Sequence, residues 1–175
     1  IEVEAMDADR LKGNDDLTVI DYNATNLTWL MLNNEAPGLD NQDVRHAINS
    51  AIDKESVVTV AYNGMATPAL SQMPMNFEGA TEENADTYDV EKAKEWLEKS
   101  GVDPASVKFS IICSDDTKKR AAEVIQANLK EIGINCEIES MDLATYLSAT
   151  AEGDFTASIG GYSSSDLLSY VVGVY

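Results

Sequence analysis

Five apolar residues, Val44, Ala47, Ile48, Ala51 and Ile52, fall at i, i+3, i+4, i+7 and i+8, so a helix beginning at Asp43 carries them on one face. That face is core. Asp53 follows, a carboxylate able to accept hydrogen bonds from the free N–H groups of a new helical turn. A second helix carrying Val57, Val58 and Ala61 is therefore expected, ending at Asn63-Gly64. The same signature recurs at Asp89, with Val90, Ala93, Trp96 and Leu97 inward and Gly101 as the stop, and at Asp142, ahead of Leu143, Tyr146 and Leu147. Lys92, Lys94 and Lys99 lie with Glu91, Glu95 and Glu98 on the outer side of the Asp89 helix, a solvated charged face.

The period changes to that of strands at Val107 to Cys113 and again at Ile134 to Met141. Between them Thr117 to Ile132 reads as a helix with Ala121, Ala122, Ile125, Leu129 and Ile132 inward, closed by Gly133. Such a strand–helix–strand unit is expected to be parallel and right-handed. Phe155 to Ile159 returns as another strand. Nearer the N-terminus, Ile1 to Met6 alternates partly and reads as a short strand, after which Asp7 can cap a brief helix stopping at Gly13-Asn14. Leu17 to Tyr22 and Leu27 to Leu32 are rich in β-formers and predict two strands joined through Asn23 to Asn26. Met65 to Asp86 holds Pro68, Pro74, Gly79 and three methionines without a sustained period, and is expected to be an irregular loop packed by its own apolar residues. The fold class is α/β: a mixed sheet with flanking helices around one parallel unit.

At 175 residues and 44% hydrophobic content the chain fits one domain with a real core. Its 12 basic and 31 acidic residues leave a formal charge of -19, which repels nucleic-acid phosphates and anionic membrane surfaces. No nucleic-acid partner is expected. Cys113 and Cys136 lie in apolar strand-like runs with no CxxC and no histidine cluster, so zinc has no ligand set. Buried free thiols are expected, with a disulfide open if the strands are neighbours and the protein is exported. The single histidine, His46, reads as a surface or boundary residue. Asp15-Asp16 and Asp115-Asp116 lack EF-hand spacing, and neither a phosphate loop nor a dinucleotide motif occurs, so no metal or cofactor is expected. No run of 18 apolar residues is present, and the first residues lack the basic start and apolar stretch of a secretory signal. An opening in a strand-like run and an end on Tyr170 to Tyr175 without a polar tail read as part of a longer polypeptide.

Candidate chemistry concentrates in Gly160-Gly161-Tyr162-Ser163-Ser164-Ser165-Asp166. Ligands of open α/β sheets meet the loops at the carboxyl ends of strands, and this loop follows the last predicted strand. Its glycines let the backbone approach a ligand, Tyr162 offers a flat face with a polar tip, and three hydroxyls can donate or accept. Gly161, Tyr162, Ser163, Ser164, Ser165 and Asp166 are the candidate ligand-binding residues. A plainer role exists beside that one: a Gly-Gly turn, with Asp166 or a serine capping a helix over Leu167 to Val172. Catalysis by the serines would need a nearby base and an oxyanion hole, and the one histidine is remote.

Asn33, Val44-Arg45, Ala47-Ile48, Ala51-Ile52-Asp53-Lys54-Glu55, Tyr88-Asp89, Lys92-Ala93, Ile132-Gly133-Ile134 and Gly153-Asp154-Phe155 form an ordered set. From Leu17 to Asp166 it resembles the C-terminal lobe of the family 5 extracellular solute-binding proteins, which deliver oligopeptides, dipeptides or nickel complexes to ABC importers. The resemblance implies a periplasmic-binding-protein-like lobe that closes with a second lobe, absent here, on a peptide or other small solute. It further implies a noncatalytic, extracytoplasmic protein, periplasmic or lipid-anchored, whose partners are the permease subunits. In peptide-binding relatives a Gly-Trp-x-x-Asp segment lines the cleft, and its aspartate pairs with the peptide ammonium. Here Gly161-Tyr162 fits the Gly-aromatic pair, while Ser165 stands at the aspartate position and Asp166 one place later. Arg45 matches a family position but, on an amphipathic helix, is read as structural. The ligand-sensing half of a transcription regulator, another solute such as a nickel complex, and a hydrolase using Ser163, Ser164 and Ser165 are the alternative readings.

Overall fold

The computed structural model of the chain describes residues 3, 5–20, 22, 24–83 and 85–174. The first helix, α1, spans Ala5–Lys12, so Ala5 and Met6 are helical where a strand was expected from Ile1 to Met6; Ile1, Glu2 and Glu4 lie outside the described residues. Asp7 sits inside the first turn rather than before it, and its carboxylate takes a 2.8 Å bond from Arg10 one turn on. The expected strand at Leu17 to Tyr22 is absent over Leu17 to Ile20, and Asp21 lies outside the described residues. Leu17, Ile20 and Tyr22 are exposed, since β-rich composition makes a strand only where a ladder partner exists.

From β1 (Leu27–Leu32) onward the elements follow their sequence signals. α2 (Gln42–Ala51) is capped by Asn41, whose side chain accepts from Asp43 N and Val44 N, one turn position earlier than the pattern of apolar residues marks. Asp53 caps α3 (Lys54–Tyr62) through bonds from Glu55 N at 3.1 Å and Ser56 N at 3.2 Å, and that helix stops at Asn63 with φ 51°. Residues 65–86 hold neither helix nor strand among those described. α4 (Val90–Ser100) runs from Asp89 to Gly101, and a 3-10 turn at Pro104–Ser106 leads into β2 (Lys108–Cys113). The remainder alternates: α5 (Asp116–Glu131), β3 (Asn135–Ser140), α6 (Leu143–Glu152), β4 (Ala157–Tyr162) and α7 (Leu167–Val174).

The four strands form one sheet in the order β1-β4-β2-β3. β2 and β3 are parallel with Ile111 opposite Ile138, β4 is parallel to β2, and β1 closes the sheet antiparallel to β4. Alternation sends Phe109, Ile111, Cys136, Ala157 and Ile159 into one core shared with the inner faces of α2 and α5, with Leu30 and Leu32 packed on its margin. Val44, Ile48, Ile111, Leu129 and Ile134 are fully enclosed, and each such side chain contributes roughly 1.5–3 kcal/mol of burial. Polar side chains hold the seams. Asn33 donates to the Phe155 carbonyl at 2.9 Å, Asn128 accepts from Asp53 N at 3.1 Å, and Arg45 donates to the carbonyls of Leu39 and Asp40. Arg45 is thus a structural clamp on the chain entering α2. Cys113 and Cys136 are both buried and free.

Candidate functional site

Because β2, β3 and β4 are parallel, their carboxyl ends meet at one edge of the sheet, and the antiparallel β1 brings its amino end there too, with Leu27 opposite Tyr162. Three helices start from that edge, each behind an aspartate. Asp115 accepts from Lys118 N at 2.8 Å, Asp142 from Ala144 N and Thr145 N, and Asp166 from Ser169 N at 2.9 Å. These side chains occupy donors that would otherwise attract an anion. Thr145 holds the Asp142 carboxyl below its ordinary range, and Ser169 does the same for Asp166. Burial pulls Asp115 upward, but the hydrogen bonds and charge of Lys118 outweigh it and leave that carboxyl lowered. Lys118 also bonds Ser114 and lies over the Tyr146 ring, 5.8 Å from its centroid. The edge is acidic, with Lys118 already engaged.

The structure gathers Gly161, Tyr162, Ser163, Ser164, Ser165 and Asp166 at this edge, but it corrects the picture of the two glycines. Gly160 and Gly161 are in β4, paired with Trp29 and Thr28, and form neither a loop nor a turn. Their missing side chains make room for the protein itself. A Cβ on Gly160 would lie 3.1 Å from the Tyr146 hydroxyl, and one on Gly161 would lie 2.9 Å from the Leu27 carbonyl. Tyr146, buried on α6, reaches across to donate to the Ile159 carbonyl at 3.0 Å. Only residues 163–166 form the loop. Ser163, Ser165 and Asp166 are exposed, Ser164 is half-buried, and Asp166 serves as the cap of α7.

β4 outruns its parallel neighbour. Its pairing with β2 ends at Ile112 opposite Ser158, whereas its pairing with β1 continues to Tyr162. From Gly160 to Tyr162 the side of β4 turned toward β2 has no strand partner among the described residues. Gly160 is buried with the Tyr146 hydroxyl close to it, so this edge is open at Gly161, and an exposed strand position flanked by a tyrosine and three hydroxyl side chains can take an extended segment by main-chain hydrogen bonding.

Sequence reasoning missed two residues that shape this edge. Thr25 donates to the Ser164 carbonyl across 139 positions of sequence, and Tyr170 packs edge-on to Tyr162 with ring centroids 5.7 Å apart. No local pattern announces either contact. Ser164 Oγ donates to the Asp166 carbonyl at 3.1 Å. His46 pairs with Asp86 at 2.6 Å and stacks on Trp96 of α4. Among the described residues no cluster of three histidine, cysteine or acidic side chains is placed to hold a metal, and no helix is long and apolar enough to cross a membrane. A cavity of about 380 Å³ lined by Gln126, Lys130 and Asn135 opens at the amino end of β3, the opposite edge of the sheet.

The family described as bacterial extracellular solute-binding proteins, family 5 Middle, matches residues 1–171. The chain belongs to this family. Heme-binding protein A of Haemophilus influenzae is 29% identical over 163 residues, which is 90% of this chain and 30% of that protein. The dipeptide-binding protein of Escherichia coli is 26% identical over 166 residues, again 90% of this chain and 30% of its own length. Among solved structures, the periplasmic binding protein DppA from Helicobacter pylori in complex with peptide STSA superposes with a TM-score of 0.87 at 27% identity. It covers 95% of this chain and 33% of that one. The family 5 chain described here therefore spans about a third of the length of the relatives it matches. The α/β class, the parallel unit and the family resemblance read from the residues all hold.

Proposed function

We propose that this chain contributes one ligand-facing wall of a solute-binding protein that captures peptides outside the cytoplasm and hands them to the permease of an ABC importer. The observation that carries the reading is the edge of β4 that runs on past β2 at the carboxyl end of the sheet, exposed at Gly161 and half-buried at Tyr162. A peptide adding there gains main-chain hydrogen bonds that do not depend on its side chains, with Tyr162 as an apolar platform and Ser163, Ser164 and Ser165 as adaptable polar contacts. The carboxylates of Asp115, Asp142 and Asp166, together with a net charge of -19, favour an ammonium-bearing solute over a dianionic one such as heme. In this reading Asp166, exposed at the same end of the sheet, meets that ammonium while it caps α7. The named relatives are binding proteins, and the reading includes no catalytic step. The facing wall comes from the rest of the same polypeptide, and closure of the two traps the solute.

Calorimetric titration of the full-length protein tests this. The tetrapeptide STSA is expected to bind saturably, and the same peptide acetylated at its N-terminus to bind more weakly because it has lost its charge. Equal affinity for the two forms would refute the ammonium contact. Absence of heat with STSA and with a mixed pool of free peptides would refute the peptide reading.

A further inference from the structure

We infer that Tyr170 is a positioning residue for the solute site: it fixes the ring of Tyr162 and ties it to the irregular segment 65–86. The inference rests on the reading above, in which Tyr162 touches solute. Tyr170 is 1% exposed, although it belongs to a helix whose Leu168 and Val172 are 74% exposed. Its ring meets Tyr162 edge-on at 5.7 Å and 65°, and on another side meets Phe77 edge-on at 5.5 Å and 62°. Its hydroxyl donates to the Gln72 carbonyl at 2.7 Å, a contact spanning 98 positions of sequence. Three contacts therefore fix one aromatic side chain, two of them from a segment whose described residues form no helix or strand.

Tyr162 is held from the other direction as well. Its backbone is set by pairing with Leu27, and its ring lies so closely over Gly173 that a Cβ there would overlap the ring and hydroxyl. Tyr170 and Gly173 lie three residues apart on α7, on neighbouring positions of one helix face. The Tyr162 ring thus rests in a notch formed by an aromatic edge and a bare backbone position. It stays half-buried, so part of its surface is left for solute. A ring with two torsions would otherwise sample several rotamers, and holding one of them in advance removes that ordering cost from binding. Gln72 and Phe77, each through Tyr170, make the 65–86 segment a determinant of affinity at Tyr162.

The test uses the full-length protein labelled with 3-fluorotyrosine, with Tyr162→Phe identifying the Tyr162 fluorine resonance. Tyr170→Phe keeps the ring and removes the bond to Gln72, Phe77→Leu removes the outer aromatic edge, and Tyr170→Leu removes the inner one. Each is expected to shift or broaden the Tyr162 resonance and to weaken STSA binding by about three- to tenfold, the scale of one aromatic pair. In a Tyr162→Ala background the same substitutions are expected to have no further effect on affinity, an outcome that general loosening of the fold would not produce. An unchanged Tyr162 resonance in all three variants overturns the inference. So does an affinity loss that persists undiminished in the Tyr162→Ala background. Should Tyr162→Ala leave STSA affinity intact while the resonance still responds, Tyr162 is not a solute contact, and the inference falls with that reading and not with the packing.

Discussion

Gly161 of β4 faces the Leu27 carbonyl of β1 at a spacing that admits no side chain, because a Cβ at Gly161 would lie 2.9 Å from that oxygen and 3.3 Å from the Thr28 hydroxyl. The obstacle is backbone, which cannot rotate away. Gly161→Ala is therefore expected to push β1 off β4 at its Leu27 end and to destabilise the protein by about 1–3 kcal/mol, the usual range for overpacking. Gly160→Ala meets the Tyr146 hydroxyl at 3.1 Å, the far end of a side chain, and is expected to cost less. Urea denaturation of both variants in the full-length protein checks the order. Equal loss, or greater loss for Gly160→Ala, would contradict it.

Asp53 links the end of α2 to the start of α3, and the Ser56 hydroxyl lowers its carboxyl first of all, with burial opposing and the Ser56 and Glu55 N–H groups assisting. A lowered carboxyl favours the folded state when ionised. Its contribution is fully present above the unfolded value, about 3.9, and disappears as pH falls through the still lower folded value. Asp53→Ala is expected to cost about 1 kcal/mol at pH 7, the usual price of a lost cap. The difference from wild type should shrink below about pH 4. Melting temperatures across pH 2.5–7 measure this, and a difference that grows on acidification would show the sign to be wrong.

Most of the scaffold was legible because its signals are local. The apolar spacing of α2 and the caps at Asp53, Asp89 and Asp142 all occur within a few residues of what they determine. The same holds for the parallel unit around Ile111 and Ile138, whose connecting helix leaves one geometry. Leu17 to Tyr22 failed for the opposite reason: nothing in its β-rich composition says whether a neighbouring strand exists to pair with it. The candidate site was half legible. Tyr162 to Asp166 stand out by residue type, but the pairing of Gly160 and Gly161 depends on Trp29 and Thr28, more than 130 positions away. The contacts of Thr25 and Tyr170 depend equally on long-range closure.

Asp166 has two separable properties, a shape that caps α7 and a solvent-exposed charge. Asparagine caps a helix about as well as aspartate, so Asp166→Asn isolates the charge. Thermal stability is expected to stay near wild type, while affinity for STSA falls roughly tenfold, the scale of a charge-assisted hydrogen bond. Asp166→Ala is expected to lose both. Unaltered affinity in Asp166→Asn would assign the residue to capping alone and remove it from the solute contacts.

Cys113 and Cys136 lie on adjacent parallel strands, yet Cys113 is opposite Ser140 and Cys136 is opposite Phe109. Four register steps separate them, roughly 13 Å along the strands, whereas a disulfide needs Cα atoms within about 7 Å. The alternative of a bridge between neighbouring strands is therefore closed by register and not by compartment, and it stays closed in an oxidising environment. Reactivity is low as well. Burial pushes the Cys136 thiol up to about 11, and Cys113 is wholly enclosed with its sulfur 3.5 Å from the Ser140 hydroxyl. A thiolate is the reactive form, and at pH 8 a thiol with that value supplies about one part in a thousand. Iodoacetamide at pH 8 is thus expected to leave both residues unmodified in the native protein and to alkylate both after denaturation without reductant, as read by peptide mass spectrometry. Recovery of a peptide pair linked through Cys113 and Cys136 would mean that the β2–β3 register described here is wrong.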